Sequence, residues 1–180
     1  DDIREGNINL TSIKGIGAST EQDVKKKIEQ SKDLGGLMAE TVDLKLTGRM
    51  LSKVIERYGD ATTALYAVKK SLYNLCSISG ISFSRVDKAA LARGESKTSP
   101  KRIKAYSEHY FDEIASQGHS WVNERTFLEQ AMEQLDINGK YLRDYMESED
   151  GKQYFYWQQG DKRISSMRMF NNEKNTLKHL

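Results

Sequence analysis

The chain has 180 residues, of which 37% are hydrophobic and 30% charged, and this share of apolar residues excludes a wholly disordered chain. Its 28 basic and 26 acidic residues leave a net charge of only +2, so any nucleic-acid binding must depend on local basic patches. The single cysteine excludes an internal disulfide, and no apolar run is long enough to cross a membrane, so we expect an intracellular protein. The single proline favours a mainly α-helical fold.

The first half of the chain alternates helical stripes with glycine turns. Residues 8–29 are predicted to form an apolar approach, a glycine turn and a helix that ends near Ile28, and Gly35-Gly36 predicts a break. Apolar residues at helical spacing predict helices over residues 44–58 and 62–75. A second tight turn at residues 79–82 leads into residues 86–91.

A polar linker at residues 92–101 divides the chain, and it places a domain boundary between residues 94 and 95. The spacing beyond it predicts helices over residues 103–117, 124–135 and 140–148, strands over 153–157 and 163–170, and a last helix over 172–180. The order helix, turn, helix and two-stranded ribbon over residues 124–170 is that of a winged helix. Strand alternation would put two of the aromatic residues 154–157 on each face, and the outer pair could stack on a base or on a partner protein.

The first glycine turn carries the clearest candidate for DNA contact. Glycines at both ends of a tight turn let the backbone approach another molecule, and the following helix offers unpaired N–H groups to a phosphate. Basic side chains accompany this turn, although a plain turn between packed helices is the alternative interpretation. The candidate residues here are Lys14, Gly15, Ile16, Gly17 and Lys25.

The same order of apolar residue, turn and helix recurs over residues 75–89, and this recurrence favours a repeated module. One glycine of the pair is kept there, and the candidate residues are Gly80, Ile81, Ser82, Arg85 and Lys88. Between the two turns, residues 46–55 have the helical half of the pattern but a weaker turn, with Lys45-Leu46-Thr47 where glycines are expected.

These turns resemble helix-hairpin-helix DNA-binding motifs, and the order of the pieces is similar to the N-terminal region of RecD2-type (RecD-like) ATP-dependent DNA helicases. The similar segments are residues 54–60, 75–91, 118–122 and 172–177, within a resemblance that spans roughly residues 10–180. The sequence departs from the family where Ala18 replaces the proline that follows the first turn. The resemblance implies tandem helix-hairpin-helix units over residues 1–94, followed by a small helical region that leads towards a motor domain. Together with the element order above, we expect residues 95–180 to form a winged-helix-like subdomain before that motor.

The resemblance also implies a function, partners and cofactors. We expect a non-catalytic accessory region of a 5′–3′ helicase that grips single-stranded or forked DNA through sequence-independent phosphate contacts, in the cytoplasm and associated with the nucleoid. Its partners are DNA and the rest of the helicase chain, with no membrane. No Gly-x-x-x-x-Gly-Lys-Ser/Thr loop occurs in the sequence, so ATP and Mg²⁺ are expected only in a motor domain beyond this chain.

Two other functions remain open. One is a protein-interaction module whose hairpins are only structural, and the other is a winged-helix regulator that recognises a specific DNA sequence. The three histidines are isolated and the one thiol has no local partner of metal-binding spacing, so we expect no catalytic residue and no metal site in this chain.

Overall fold

The computed structural model describes residues 18–158 and 160–177. Within this part the fold is mainly α-helical with a small antiparallel sheet, which confirms the fold class predicted from the sequence. The chain divides into two compact units, Asp1–Gly80 and Ile81–Leu180. The polar segment 92–101, where the sequence suggested a boundary, therefore lies inside the second unit.

The first unit is a set of helices packed on a central one. The helix α1 (Ala18–Glu40) is followed by a 3-10 helix (Val42–Leu44), α2 (Gly48–Tyr58), α3 (Ala61–Lys70) and a second 3-10 helix (Leu72–Ser77). Both α1 and α2 pack against α3. The side chains buried in this core are mostly aliphatic, and they include Leu37, Leu44, Val54, Ala64, Val68 and Leu75.

The helix α1 continues through Gly35 and Gly36, so the predicted end near Ile28 and the predicted break at these glycines are wrong. A Cβ atom on Gly36 would lie 2.9 Å from Cδ2 of Leu65, on α3. The glycine thus permits close packing of α1 against α3, and this tertiary contact, rather than a turn, accounts for it. Beside it, the hydroxyl of Thr62 donates to the Asp33 carboxylate at 2.5 Å and joins the same two helices.

The second unit surrounds an aromatic core. Its elements are α4 (Phe83–Ala92), α5 (Pro100–Ser116), β1 (Val122–Asn123), α6 (Glu124–Leu135), α7 (Gly139–Glu147), α8 (Glu149–Tyr154), β2 (Phe155–Gln158), β3 (Arg163–Ser166) and α9 (Met167–Leu177). Phe111, Phe127 and Phe155 are fully buried, and their ring centroids lie 5.3–6.1 Å apart. Rings at these separations contribute about 0.5–1.5 kcal/mol per pair beyond their burial.

The three strands form one antiparallel sheet in the order β1-β3-β2. Ile164 of β3 is the central residue, since it pairs with Val122 of β1 and Trp157 of β2, and it is fully buried. On β2, Phe155 and Trp157 share one side, with ring centroids 5.8 Å apart. Tyr156 stacks instead on Phe170 of α9, at 3.7 Å between centroids and 9° between planes.

Both predicted strands are longer than the observed ones, because helix caps interrupt them. Residues 153–154 belong to α8, whose N-cap Ser148 accepts a hydrogen bond from the Gly151 amide at 3.1 Å. Residues 167–170 belong to α9, where the Met169 amide donates to the Ser166 hydroxyl at 3.2 Å. Tyr154 is therefore helical, and the predicted two-and-two alternation of the aromatic run is wrong.

One buried ion pair organises the segment that the sequence predicts as a linker. The Arg102 guanidinium binds both carboxylate oxygens of Asp87, at 2.7 and 2.9 Å. It also donates to the carbonyls of Lys97 and Leu135, at 2.8 and 2.7 Å. These bonds hold α4, the segment before α5 and the end of α6 together.

Candidate nucleic-acid interface

The turn at residues 78–82 lies between the second 3-10 helix and α4, as the sequence predicts. The side chains of Ile78 and Ile81 are 5% and 3% exposed, whereas Ser79, Gly80 and Ser82 are exposed. Gly80 has φ +97°, a conformation that other residues adopt only with strain. The two isoleucines thus hold the turn by packing, while its polar backbone faces outward.

The start of α4 places helix N–H groups beside basic side chains. Ser82 is the N-cap, and its hydroxyl accepts a hydrogen bond from the Arg85 amide at 3.4 Å. The Ser84 amide precedes it in the first turn, where helix N–H groups have no partner within the helix. The side chains of Arg85 and Lys88 are exposed on this helix.

The acidic residue of α4 does not weaken this positive surface. Asp87 is 9% exposed, and Arg102 holds its carboxylate through two hydrogen bonds. The exposed charged residues of α4 are consequently basic. Arg93, the C-cap residue, is exposed as well and extends the basic surface at the other end of the helix.

Of the candidate residues at the first glycine turn, Lys25 alone belongs to the part of the chain that the structure describes. Lys14, Gly15, Ile16 and Gly17 lie outside the described residues. Lys25 lies on α1, and its side chain is exposed together with those of Lys26 and Lys27.

The start of α2 repeats the geometry at the start of α4, although the sequence analysis gave this middle segment little weight. Thr47 is the N-cap, and its hydroxyl accepts from the Met50 amide at 3.3 Å. Arg49 is exposed, and nothing lies within 4 Å of a Cβ placed on Gly48. Lys45 adopts a left-handed conformation, with φ 48°. The signal in the sequence is a threonine cap followed by glycine and arginine, which a search for paired glycines does not find.

Lys53 links α2 to the exposed part of the second turn. Its ammonium donates to the Ser79 carbonyl at 3.0 Å. A carbonyl dipole aimed outward would repel an approaching phosphate, and the ammonium offsets that dipole. The Lys53 ammonium therefore favours anion binding at the exposed side of the turn. Lys53 and Ser79 both belong to the first unit.

The candidate cations of the second half face acidic side chains. On α7, Lys140 and Arg143 are exposed beside the equally exposed Asp144 and Glu147. In the ribbon, Arg163 is paired with Asp161. At the start of α9, Arg168 is paired with Asp112 of α5. This surface has mixed charge and is a weaker candidate for phosphate contact than the start of α4.

No cluster of three or more histidine, cysteine, aspartate or glutamate side chains in the described part could hold a metal ion. Among the described helices, none has the length and apolar character that crossing a membrane requires.

Comparison with known families identifies the domain in which these turns lie. A model of the helix-hairpin-helix domain of ATP-dependent RecD2 DNA helicases matches residues 11–121. The chain belongs to this family. The match covers more than half of the 180 residues and includes both glycine turns, α4 and α5. A comparison with curated proteins finds no significant match.

Membership of the RecD2 helix-hairpin-helix family confirms the resemblance drawn from the sequence. It makes the chain a DNA-binding accessory region related to helicases, and a part of a helicase chain. Both glycine segments, at residues 15–17 and 78–82, lie within the part of the chain that matches this DNA-binding family.

Proposed function

We propose that this chain grips DNA through sequence-independent contacts to backbone phosphates, and that the start of α4 is a principal contact. The observation that carries the proposal is the charge of that helix. Its N-terminal amides and the exposed Arg85 and Lys88 are positive, while its one carboxylate is buried and neutralised by Arg102. Backbone amides and flexible basic side chains contact phosphates rather than bases, so we expect no sequence preference.

Two further contacts extend the proposal. The start of α2 offers the Gly48 and Arg49 amides beside exposed basic side chains. The turn at residues 14–17, with Lys14 and the lysines from Lys25 onward, is a third contact proposed from the sequence and the family. Within these turns we assign Gly80 and Ser82 to backbone contact, and the buried Ile81 to holding the turn in place.

The role within the helicase follows from these contacts. The chain holds single-stranded or forked DNA near a motor domain elsewhere in the helicase, and ATP and Mg²⁺ act only in that motor. Such a region serves DNA repair and recombination in the nucleoid. The chain contributes binding and orientation and no chemistry.

We also propose a winged-helix arrangement for the second half. The order of α5, β1, α6, α7, β2 and β3, with the short α8 between α7 and β2, supports this arrangement, as does the sheet order β1-β3-β2. The mixed charge on α7 favours a structural role over the reading of a specific sequence.

The proposal is tested by fluorescence anisotropy with labelled oligonucleotides at several salt concentrations. Arg85→Ala should weaken binding to every sequence and reduce the log–log salt slope by about 1, because one phosphate contact is lost. The matched control is Arg125→Ala, which removes the same charge from α6 of the same unit, where Arg125 is exposed and paired with Glu129. This control should leave the slope unchanged.

The same measurement can reject the proposal. Equal losses for Arg85→Ala and Arg125→Ala would mean that only overall charge matters. Binding that strongly prefers one sequence would favour a sequence-specific regulator. A folded chain with no DNA affinity at low salt would favour a protein-interaction module.

A further inference from the structure

A groove between α5 and α6 has a chemistry opposite to that of the basic surface. It has a volume of about 440 Å³ and is lined by two tyrosines, Tyr106 and Tyr110, and by two glutamates, Glu113 of α5 and Glu133 of α6. Both carboxylates are exposed, and within the described residues no third acidic or histidine ligand joins them to form a metal site. The carboxylates repel phosphate, so the groove suits a cation rather than DNA.

The two tyrosines present unused hydrogen-bonding groups to this groove. Tyr106 is 5% exposed and Tyr110 8%, yet neither hydroxyl has a hydrogen-bond partner among the described residues. Burial, with smaller contributions from Tyr110, Glu113 and Glu133, raises the pKa of Tyr106 to about 12. Its hydroxyl is therefore neutral at physiological pH, and its oxygen can accept a hydrogen bond from a ligand.

The rim of the groove adds further acceptors. The amide side chains of Gln117, Gln130 and Gln134 line it, and each has a carbonyl oxygen. Nearby on α5, the Nε2 atom of His109 lies 4.0 Å from the Glu113 carboxylate. The groove thus combines two negative charges with neutral acceptors on both helices, and its ligand must be positively charged and rich in donors.

We propose that this groove binds an arginine side chain presented by a partner protein. A guanidinium has five N–H donors, no acceptor and a fixed positive charge, which matches an acceptor-rich groove with a carboxylate on each wall. It is also less strongly hydrated than an ammonium, so it enters a half-enclosed site more readily than lysine. None of the residues that line the groove is among the DNA contacts proposed above, so the groove would let the chain hold a protein partner in addition to DNA.

The test uses blocked tripeptides with a central arginine, lysine or citrulline, titrated into the ¹⁵N-labelled chain without DNA. The arginine peptide should shift amide signals of α5 and α6, while citrulline, which has the same shape without the charge, should not. Glu133→Gln should weaken arginine binding about tenfold, because a charge-assisted hydrogen bond is lost. Tyr106→Phe should weaken it about threefold through loss of the hydroxyl.

The matched control is Glu129→Gln, which removes the same charge from an exposed position of α6 that does not line the groove. It should leave arginine binding unchanged. The proposal is overturned if the arginine peptide gives no shifts, if citrulline or lysine binds as well as arginine, or if Glu129→Gln weakens binding as much as Glu133→Gln. Glu133 is exposed, so its variant is expected to fold, and the spectrum itself reports the fold.

Discussion

Arg102 contributes both to the stability of the second unit and to the basic surface of α4 proposed to contact DNA. Its side chain is 3% exposed, and that of Asp87 is 12% exposed, so both charges have lost most of their water. Their bidentate contact, with two backbone carbonyls as further acceptors, satisfies the guanidinium and offsets this desolvation. The same contact removes the carboxylate charge from the basic surface of α4. A residue that the sequence presents as one of many arginines is thus the centre of a buried network.

Asp87→Asn tests this network, since it keeps the shape of the side chain and removes its charge. The variant should lose about 3 kcal/mol of unfolding free energy, because a buried guanidinium is left without its counter-charge. Urea unfolding followed by tryptophan fluorescence measures the effect, as Trp121 and Trp157 both belong to the second unit.

A control for this prediction is Asp136→Asn, which breaks the exposed pair between Asp136 and Lys97. Exposed pairs contribute little because water screens them, so this variant should unfold much closer to the wild type. If the two variants behaved alike, burial would not be the source of the stabilisation.

At the scale of elements, hydroxyl caps and glycines decide where helices begin and end. The sequence predicts the helices over residues 124–135 and 140–148 closely, because their apolar stripes are regular and their ends are marked by turn residues. The predicted break at Gly36 is wrong. A glycine that allows close packing of a neighbouring helix cannot be distinguished in the sequence from one that ends a helix. The sequence prediction misses α8 and the start of α9, because the aromatic run between them favours a strand. The local signals of these two helices are the capping serines Ser148 and Ser166.

Alanine substitutions separate the two uses of glycine. A Cβ on Gly151 would collide with the Tyr145 carbonyl oxygen, at the junction of α7 and α8. Gly151→Ala must displace the backbone there, and it should cost about 1–3 kcal/mol of stability. Gly35→Ala has nothing within 4 Å of its Cβ, and it should stabilise α1 by up to about 1 kcal/mol.

Thermal unfolding followed by circular dichroism measures both variants, with tryptophan fluorescence added for Gly151→Ala. The predicted effects have opposite signs, so a general intolerance of alanine cannot produce them. A stabilising effect of Gly151→Ala would show that the junction of α7 and α8 is looser than its geometry indicates.

At the scale of the whole molecule, the order of weak motifs predicted the family, while no single motif did. The isolated turn at residues 78–82 was predicted correctly, because Gly80 requires a positive φ and two isoleucines supply packing on either side. The paired role of Asp87 and Arg102 was not predictable, since fifteen residues and an apparent linker separate them in the chain. The groove between α5 and α6 was equally hidden, because its glutamates come from different helices and look like ordinary solvated charges.

The small net charge of +2 implies that DNA binding depends on where the cations lie, and each unit should contribute its own share. Lys45→Ala with Arg49→Ala in the first unit, and Arg85→Ala with Lys88→Ala in the second, should each reduce the salt slope by about 2. Sites without shared partners contribute additively, so all four substitutions together should reduce the slope by about 4. Lys140→Ala with Arg143→Ala is the matched control, because it removes the same charge from the mixed surface of α7. Anisotropy at several salt concentrations gives each slope. If Lys45→Ala with Arg49→Ala left the salt slope unchanged, the start of α2 would not be part of the interface. If Lys140→Ala with Arg143→Ala reduced the slope as much as the other pairs, binding would depend on overall charge and not on local contacts.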